Sequence, residues 1–78
     1  MRHGKDFTAN PGNSFGERLA FVLKRDGFKQ CQFANKAGIT PVYINNIIKG
    51  RNTPSLNTAT DIARLLDVSL DWLCCLED

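Results

Sequence analysis

The sequence has few of the features that mark membrane, secreted or metal-binding proteins. Its 78 residues include three cysteines, one histidine, one tryptophan and one tyrosine. The longest apolar runs are four or five residues, such as Leu19 to Leu23, whereas a membrane-spanning helix needs about 20. The N-terminus has basic residues with no apolar segment behind them, so it does not resemble a secretory signal. We therefore expect one small cytoplasmic domain without a membrane partner.

The three cysteines are Cys31, Cys74 and Cys75, an odd number that argues against a disulfide framework. We expect reduced thiols in a reducing compartment. A zinc site normally needs four ligands, and only His3, in a predicted tail, could join the cysteines. There is no glycine-rich phosphate loop, no paired carboxylate motif and no plausible Cys–His pair. The sequence thus predicts no enzyme, no cofactor and no small-molecule substrate.

Charge is distributed unevenly along the chain. Residues 1–54 contain nine basic and three acidic residues, a net charge of +6. Residues 55–78 contain one basic and five acidic residues, a net charge of −4. Such asymmetry indicates that the first part meets a polyanion such as nucleic acid, although two ordinary solvated faces are an alternative interpretation.

Apolar residues recur at helical spacing, and no strand pattern appears. Residues 1–13 are predicted to form a flexible N-terminal arm, and residues 14–78 the folded domain. Ser14 and Glu17 form a capping box for a first helix that ends at Gly27. The second predicted helix runs from Gln30 to Ala37, and the third from Thr40-Pro41 to Gly50. Ser55 begins a fourth helix, which has Leu56 and Leu65 among its apolar positions, and Ser69 begins a short fifth one. The predicted core contains Phe15, Leu19, Phe33, Ile44, Ile47, Ile62 and Leu66.

The second and third predicted helices meet across Gly38-Ile39-Thr40. A sharp turn with glycine between two short helices is typical of a helix-turn-helix unit. In that unit the first helix crosses the DNA backbone and the second presents its N-terminal residues to the major groove.

From Phe15 to Leu76, 62 of the 78 residues, the chain resembles the Cro/C1-type (XRE) family of phage repressor helix-turn-helix domains. The residues that carry the resemblance are Arg18-Leu19, Gly27-Phe28, Gln30, Phe33-Ala34, Gly38-Ile39-Thr40, Ile44, Ile47, Gly50, residues 52–56 and residues 65–73. The resemblance implies an all-α, compact five-helix lambda-repressor-like domain that binds double-stranded DNA as a homodimer.

The resemblance also implies a site, position by position. Residues expected to contact phosphates are Gln30, Lys29, Thr40, Lys49, Arg51, Asn52 and Thr53. Residues expected to read bases are Val42, Tyr43, Asn46, Pro41 and Asn45. Asparagine pairs with adenine, and valine offers only apolar contact, for example to a thymine methyl group. Because the groove helix has no arginine for guanine, we predict an A/T-leaning palindromic operator.

Trp72, Leu73 and Leu76 of the last predicted helix are candidates for a dimer surface, with Phe21 a weaker one. Alternatively, Trp72, Leu73 and Leu76 close the core of the monomer, and we expect Trp72 and Leu73 to do both. In the first case Cys74 and Cys75 would lie near the two-fold axis.

Two positions depart from the family pattern. Leu23 and Ile48 stand where many members have an arginine and a glutamate, so that an apolar pair replaces a buried ion pair. Lys29 replaces the usual capping residue before the second helix, which weakens the cap but adds a positive charge near the expected phosphate.

The function predicted from the sequence is a sequence-specific transcriptional repressor of phage or prophage type. Two alternatives remain open at this point: an antitoxin-type autoregulator, and a protein-interaction module that kept the fold and lost DNA binding.

Overall fold

Five helices follow one another in the computed structural model, which describes residues 11–76. They are α1 (Phe15–Asp26), α2 (Gln30–Ala37), α3 (Pro41–Ile48), α4 (Leu56–Leu66) and α5 (Leu70–Leu73). No strand occurs between residues 11 and 76. The predicted all-α, five-helix class is therefore confirmed.

Hydroxyl side chains begin four of the five helices. The side-chain oxygens of Ser14, Thr40, Ser55 and Ser69 each accept a hydrogen bond from the backbone N–H three residues later, at 3.1–3.2 Å. Such a bond satisfies one of the N–H groups that have no partner within the helix. Helix α2 has a weaker start, because the lysine side chain of Lys29 cannot accept and its own N–H lies 3.5 Å from the side-chain oxygen of Gln32.

Glycines with positive φ end two helices and follow a third. Gly27 and Gly38 cap α1 and α2 with φ angles of 78° and 75°, as the sequence predicts. Helix α3 ends at Ile48, with Lys49 as its cap, so Gly50 follows the cap instead of forming it. The φ of 79° at Gly50 turns the chain away from α3 into the loop of residues 50–54.

One core joins all five helices. Its buried members are Leu19, Val22, Leu23, Phe33, Ala34, Ile44, Ile47, Ile62, Ala63, Leu66, Trp72 and Leu73. The predicted core is confirmed except at Phe15, which is half-buried. Two apolar positions assigned to α4 lie outside the core, because Leu56 is 73% exposed and Leu65 is 36% exposed.

Trp72 and Leu73 belong to this core, with 1% and 0% of their surface exposed. They have almost no accessible area to offer to a second copy of the chain. Their predicted place on a dimer surface is therefore corrected to a place in the core of the monomer. Leu76, the third residue of that prediction, is 75% exposed.

Among residues 11–76, Arg18 is the charged residue that the fold buries. Its side chain is 7% exposed, and its guanidinium donates to the carbonyl of Gly12 at 3.0 Å and to that of Trp72 at 2.6 Å. The guanidinium carbon also lies 5.1 Å from the centroid of a Trp72 ring, within cation–π range. One side chain thus ties the segment before α1 to α5.

The chain before α1 is held in place. The Asn13 N–H donates to the Glu17 carboxylate at 2.8 Å, and Gly12 accepts from Arg18. The folded part therefore begins before Ser14, earlier than the boundary that the sequence suggests. Residues 1–10 lie outside the described residues, and the arm predicted there stays a prediction.

Gly16 lets α1 approach α3. A Cβ atom at this buried glycine would collide with the carbonyl oxygen of Ile47 and would lie 2.7 Å from that of Ile48. Because both oxygens belong to the last turn of α3, the contact determines how closely this helix end lies against α1.

Candidate nucleic-acid interface

Helix α3 turns one side to the core and the other to solvent. Ile44 and Ile47 are buried, whereas Val42 on the opposite side is 69% exposed. Asn45 and Asn46 are half-buried, and Pro41 is exposed at the start of the helix. The predicted base-reading residues are therefore accessible along α3.

Tyr43 has a mixed position. It is half-buried and packs against the core, so part of the side chain covers the core edge. The rest of the side chain is accessible beside Val42. Its hydroxyl can both donate and accept a hydrogen bond.

The turn between α2 and α3 fixes the start of α3. The N–H of Ile39 donates to the carbonyl of Ala34 at 3.0 Å, which folds the chain back over the end of α2. Thr40 then accepts from the N–H of Tyr43 at 3.1 Å. This bond uses the oxygen of the exposed Thr40 hydroxyl, and its proton can point to a phosphate.

Two backbone hydrogen bonds attach the loop of residues 50–54 to α3. The N–H groups of Arg51 and Asn52 both donate to the carbonyl of Asn46, at 2.8 and 3.3 Å. The side chains of Arg51, Asn52 and Thr53 are exposed just beyond the end of the helix. The predicted phosphate-contacting loop and the predicted adenine reader are thus parts of one connected unit.

Lys29 and Gln30 are exposed at the start of α2. The positive end of the α2 dipole lies there, and its first backbone N–H groups point away from the helix. An anion such as a phosphate is stabilised in that position. Lys49 is exposed as the cap residue of α3.

The electrostatics favour an anionic partner at this surface. Between Asp26 and Asp61 the sequence has no acidic residue, although it has four basic ones, and all four are exposed: Lys29, Lys36, Lys49 and Arg51. This interval contains all of α2, α3 and the loop of residues 50–54. The net charge of residues 1–54 conceals this distribution, because it includes Arg18, which is buried, and Arg25, which pairs with Asp26 at 3.0 Å.

Residues 20–73 match the family model described as helix-turn-helix. The chain belongs to the helix-turn-helix family of the Cro/C1 repressor type. Over 61 residues it is 39% identical to the repressor protein CI of Enterobacteria phage phi80, an alignment that covers 78% of this chain and 25% of CI. The chain thus spans about a quarter of the length of this relative.

Two solved structures have the same fold as this chain. The restriction-modification controller protein C.AhdI from Aeromonas hydrophila superposes with a TM-score of 0.71 and 27% identity, covering 76% of this chain and 86% of that one. The P22 c2 repressor, solved with a synthetic operator, has a TM-score of 0.76 and 21% identity, covering 81% and 96%. At such identity the second comparison supports the fold alone.

Residues 11–76 contain neither a candidate membrane span nor a candidate cluster of metal ligands. No helix in this range is long and apolar enough to cross a membrane. No group of three histidine, cysteine, aspartate or glutamate side chains comes together there as metal ligands would. His3 lies outside the described residues.

Proposed function

We propose that this helix-turn-helix domain binds an operator as a homodimer and represses transcription, as part of a phage- or prophage-type regulator. One observation carries the proposal. The accessible side of α3 carries Val42 and Asn46. The Asn46 carbonyl accepts two hydrogen bonds from a loop whose side chains Arg51, Asn52 and Thr53 are exposed. Base readers and phosphate contacts are thereby held in a constant relation to each other.

Phosphate contacts set the position of the domain on the duplex. Gln30 and Lys29 contact phosphates from the start of α2. Further phosphate contacts come from Thr40 and Lys49, at the two ends of α3, and from the loop side chains of residues 51–53. Such contacts contribute affinity and register but do not distinguish sequences.

Base contacts come from α3. Asn46 pairs with the N6 and N7 groups of adenine, with Asn45 beside it, and Val42 packs on a thymine methyl group. Pro41 and Tyr43 contribute shape and, through the tyrosine, one hydroxyl. From Pro41 to Ile48 there is no arginine or lysine, the residues that read guanine most often. The half-site is therefore A/T-leaning.

A selection from a random duplex pool tests the proposal. The whole chain is bound at about 0.15 M salt and again at lower salt, because phosphate contacts weaken steeply as salt rises. We expect an enriched inverted repeat with A·T pairs under α3. Invariant G·C pairs in each half-site would contradict the assignment of bases. Lack of binding at both salt concentrations would favour the alternative of a protein-interaction module that has lost DNA binding.

Two substitutions separate the roles within the site. Asn46→Ala should relax specificity at one base step by about 1–3 kcal/mol. Arg51→Ala should weaken binding to all sequences alike and reduce the salt slope by about one unit. Matched controls remove the same side chains from exposed positions elsewhere, with Asn35→Ala on α2 and Arg64→Ala on α4. Identical behaviour of the two site variants would refute this division.

A further inference from the structure

An open groove runs along the accessible side of α1. It has a volume of about 520 Å³. Its lining consists of Pro11 and Gly12, four residues of α1 (Glu17, Ala20, Phe21 and Lys24), and Ile48, the last residue of α3. We name it the α1 groove.

The middle of the α1 groove is apolar and its two ends are charged. Ala20, Phe21 and Ile48 are half-buried, so that part of each side chain stays accessible in the groove. Glu17 and Lys24 are exposed about one turn before and one turn after Ala20. Such a surface suits an occupant that carries a large apolar side chain next to a charged one.

The segment before α1 meets the groove at Gly12. The φ of Gly12 is 102°, and a Cβ atom there would collide with the Cβ of Glu17 and would lie 2.7 Å from its Oε1. The Arg18 guanidinium donates to the Gly12 carbonyl at 3.0 Å, and the Asn13 N–H donates to the Glu17 carboxylate at 2.8 Å. The glycine turn and these two bonds therefore hold the chain against the Glu17 end of the groove.

Phe7 is within reach of the apolar middle of the groove. It comes four residues before Pro11, which corresponds to at most about 14 Å of extended chain. The α1 side of the groove, from Glu17 to Lys24, is only about 10 Å long at the rise of an α-helix. Phe7 is also the one aromatic residue among residues 1–10.

The order of charges along the two segments is complementary. A chain that continues from Gly12 along the groove, away from Glu17, brings Phe7 to Phe21. The next residue in that direction is Asp6, and the next charged residue of the groove is Lys24. A carboxylate would thus lie beside an ammonium group, at a site where the exposed lysine favours negative charge.

A tethered occupant suits this groove better than a free one. Ligand pockets bury most of the surface of the molecules that they bind, whereas the α1 groove is open along its length. A free ligand would therefore bind weakly. A segment joined through a few residues has an effective concentration in the millimolar range, so that weak contacts are sufficient.

We infer that Phe7 of this chain lies in the α1 groove, against Phe21 and Ile48, and holds the segment before α1 against the last turn of α3. The end of the helix proposed to read bases is then supported by this segment from outside as well as by the core from inside. The inference concerns the chain without DNA and goes beyond the proposed function.

Isoleucine methyl signals in NMR spectra test the position of the ring, because an aromatic ring shifts the signals of methyl groups that it covers. Ile48 lines the groove. Ile39 is the matched control, because it is also half-buried but lies in the turn between α2 and α3 and does not line the groove. In the whole chain we expect Phe7→Leu to move the Ile48 methyl signals and to leave those of Ile39 in place.

Thermal unfolding gives an independent readout. Phe7→Ser should lower the melting temperature by about 4–8 °C, the shift that partial burial of one phenylalanine produces in a domain of this size. The same substitution should have a smaller effect in a Phe21→Leu background, because its contact with the Phe21 ring is already lost. In a Phe28→Leu background the effect should stay at its full size, since Phe28 is half-buried but lies outside the groove.

Four results would overturn the inference. In the first, Phe7→Leu leaves the Ile48 signals unchanged. In the second, it moves the signals of Ile48 and Ile39 alike. In the third, Phe7→Ser has the same effect on the melting temperature in the Phe21→Leu and Phe28→Leu backgrounds. In the fourth, the Ile48 signals of wild type move with chain concentration, which would assign the groove to a second copy. The proposed function is tested separately, by the selection of duplexes.

Discussion

Gly16→Ala tests how closely α1 must approach the helix that carries the DNA-reading residues. The added methyl group would meet the carbonyl oxygen of Ile47 and would lie 2.7 Å from the carbonyl oxygen and 3.0 Å from the carbonyl carbon of Ile48. All three are backbone atoms, which cannot rotate away as the end of a side chain can. The end of α3 must therefore move away from α1 by a sizeable fraction of an ångström.

Two effects of opposite sign contribute to the result. Overpacking of a well-packed site costs about 1–3 kcal/mol, and contact with rigid backbone favours the upper end. Alanine is favoured over glycine by about 1 kcal/mol in a helix interior, which is an upper value for Gly16 because it is the second residue of α1. The net change is a loss of about 2 kcal/mol in the free energy of unfolding. For a domain of this size that lowers the melting temperature by roughly 8–16 °C.

Thermal unfolding followed by circular dichroism at the helical band measures this change. Gly27→Ala is the control, because nothing lies within 4 Å of a Cβ there, although its φ of +78° disfavours alanine. We expect the control to lose about 1 kcal/mol from conformation alone. A higher melting temperature for Gly16→Ala would refute the reasoning, because helix propensity would then outweigh the collision.

The other predictions concern the buried arginine, the α3 cap and one thiol. Arg18→Met should lower the free energy of unfolding by about 2–3 kcal/mol in urea titration, because the Trp72 carbonyl loses a charged donor; unchanged stability would contradict this. In the same urea titration, Thr40→Ala should lower the free energy of unfolding by about 1 kcal/mol. Thr40→Ser should lower it much less, because serine keeps the hydroxyl that accepts from the Tyr43 N–H. Because burial raises the pKa of Cys74 above its ordinary value of 9.0, its neutral thiol stabilises the fold below pH 9.0, and this contribution is lost as the pH rises through the folded-state pKa. Cys74→Ser should therefore flatten the decline in melting temperature at alkaline pH. An unaltered decline would argue against this role of the thiol.

The helix boundaries could be predicted from the sequence because their signals are local. A hydroxyl three residues before a helical N–H, as at Ser14 or Ser55, acts within one turn and needs no partner from elsewhere in the fold. The glycine turn at Gly38 is local in the same way. The family resemblance depended on the spacing of these signals, and the comparisons with known proteins confirmed it.

Properties that depend on distant packing were harder to predict. Periodicity placed Leu56 on the apolar side of α4. It could not show that the first residue of the helix lies beyond the end of the core and is therefore exposed. It placed Trp72 on α5 without showing that the whole ring is covered. The structural role of Arg18 depends on a carbonyl 54 residues away, for which the local sequence contains no signal.

The DNA-reading assignments stand between these cases. The accessibility of the exposed Val42 and the half-buried Asn46 depends on the position of α3 against the core, which periodicity at Ile44 and Ile47 predicts. The two hydrogen bonds from the loop to the Asn46 carbonyl depend on the turn at Gly50. The sequence indicated only that a helix stops near that glycine.

The Arg18 contacts have a consequence for protein engineering. The guanidinium of Arg18 donates hydrogen bonds to the carbonyls of Gly12 and Trp72, so the segment before α1 and the helix α5 lie within the span of a single planar group. Domains whose ends lie so close together tolerate circular permutation and insertion into other proteins. A short linker between the segment before α1 and the residues after α5, with new termini opened in a connection away from the candidate interface such as that between α4 and α5, would leave α2, α3 and the loop of residues 50–54 unbroken.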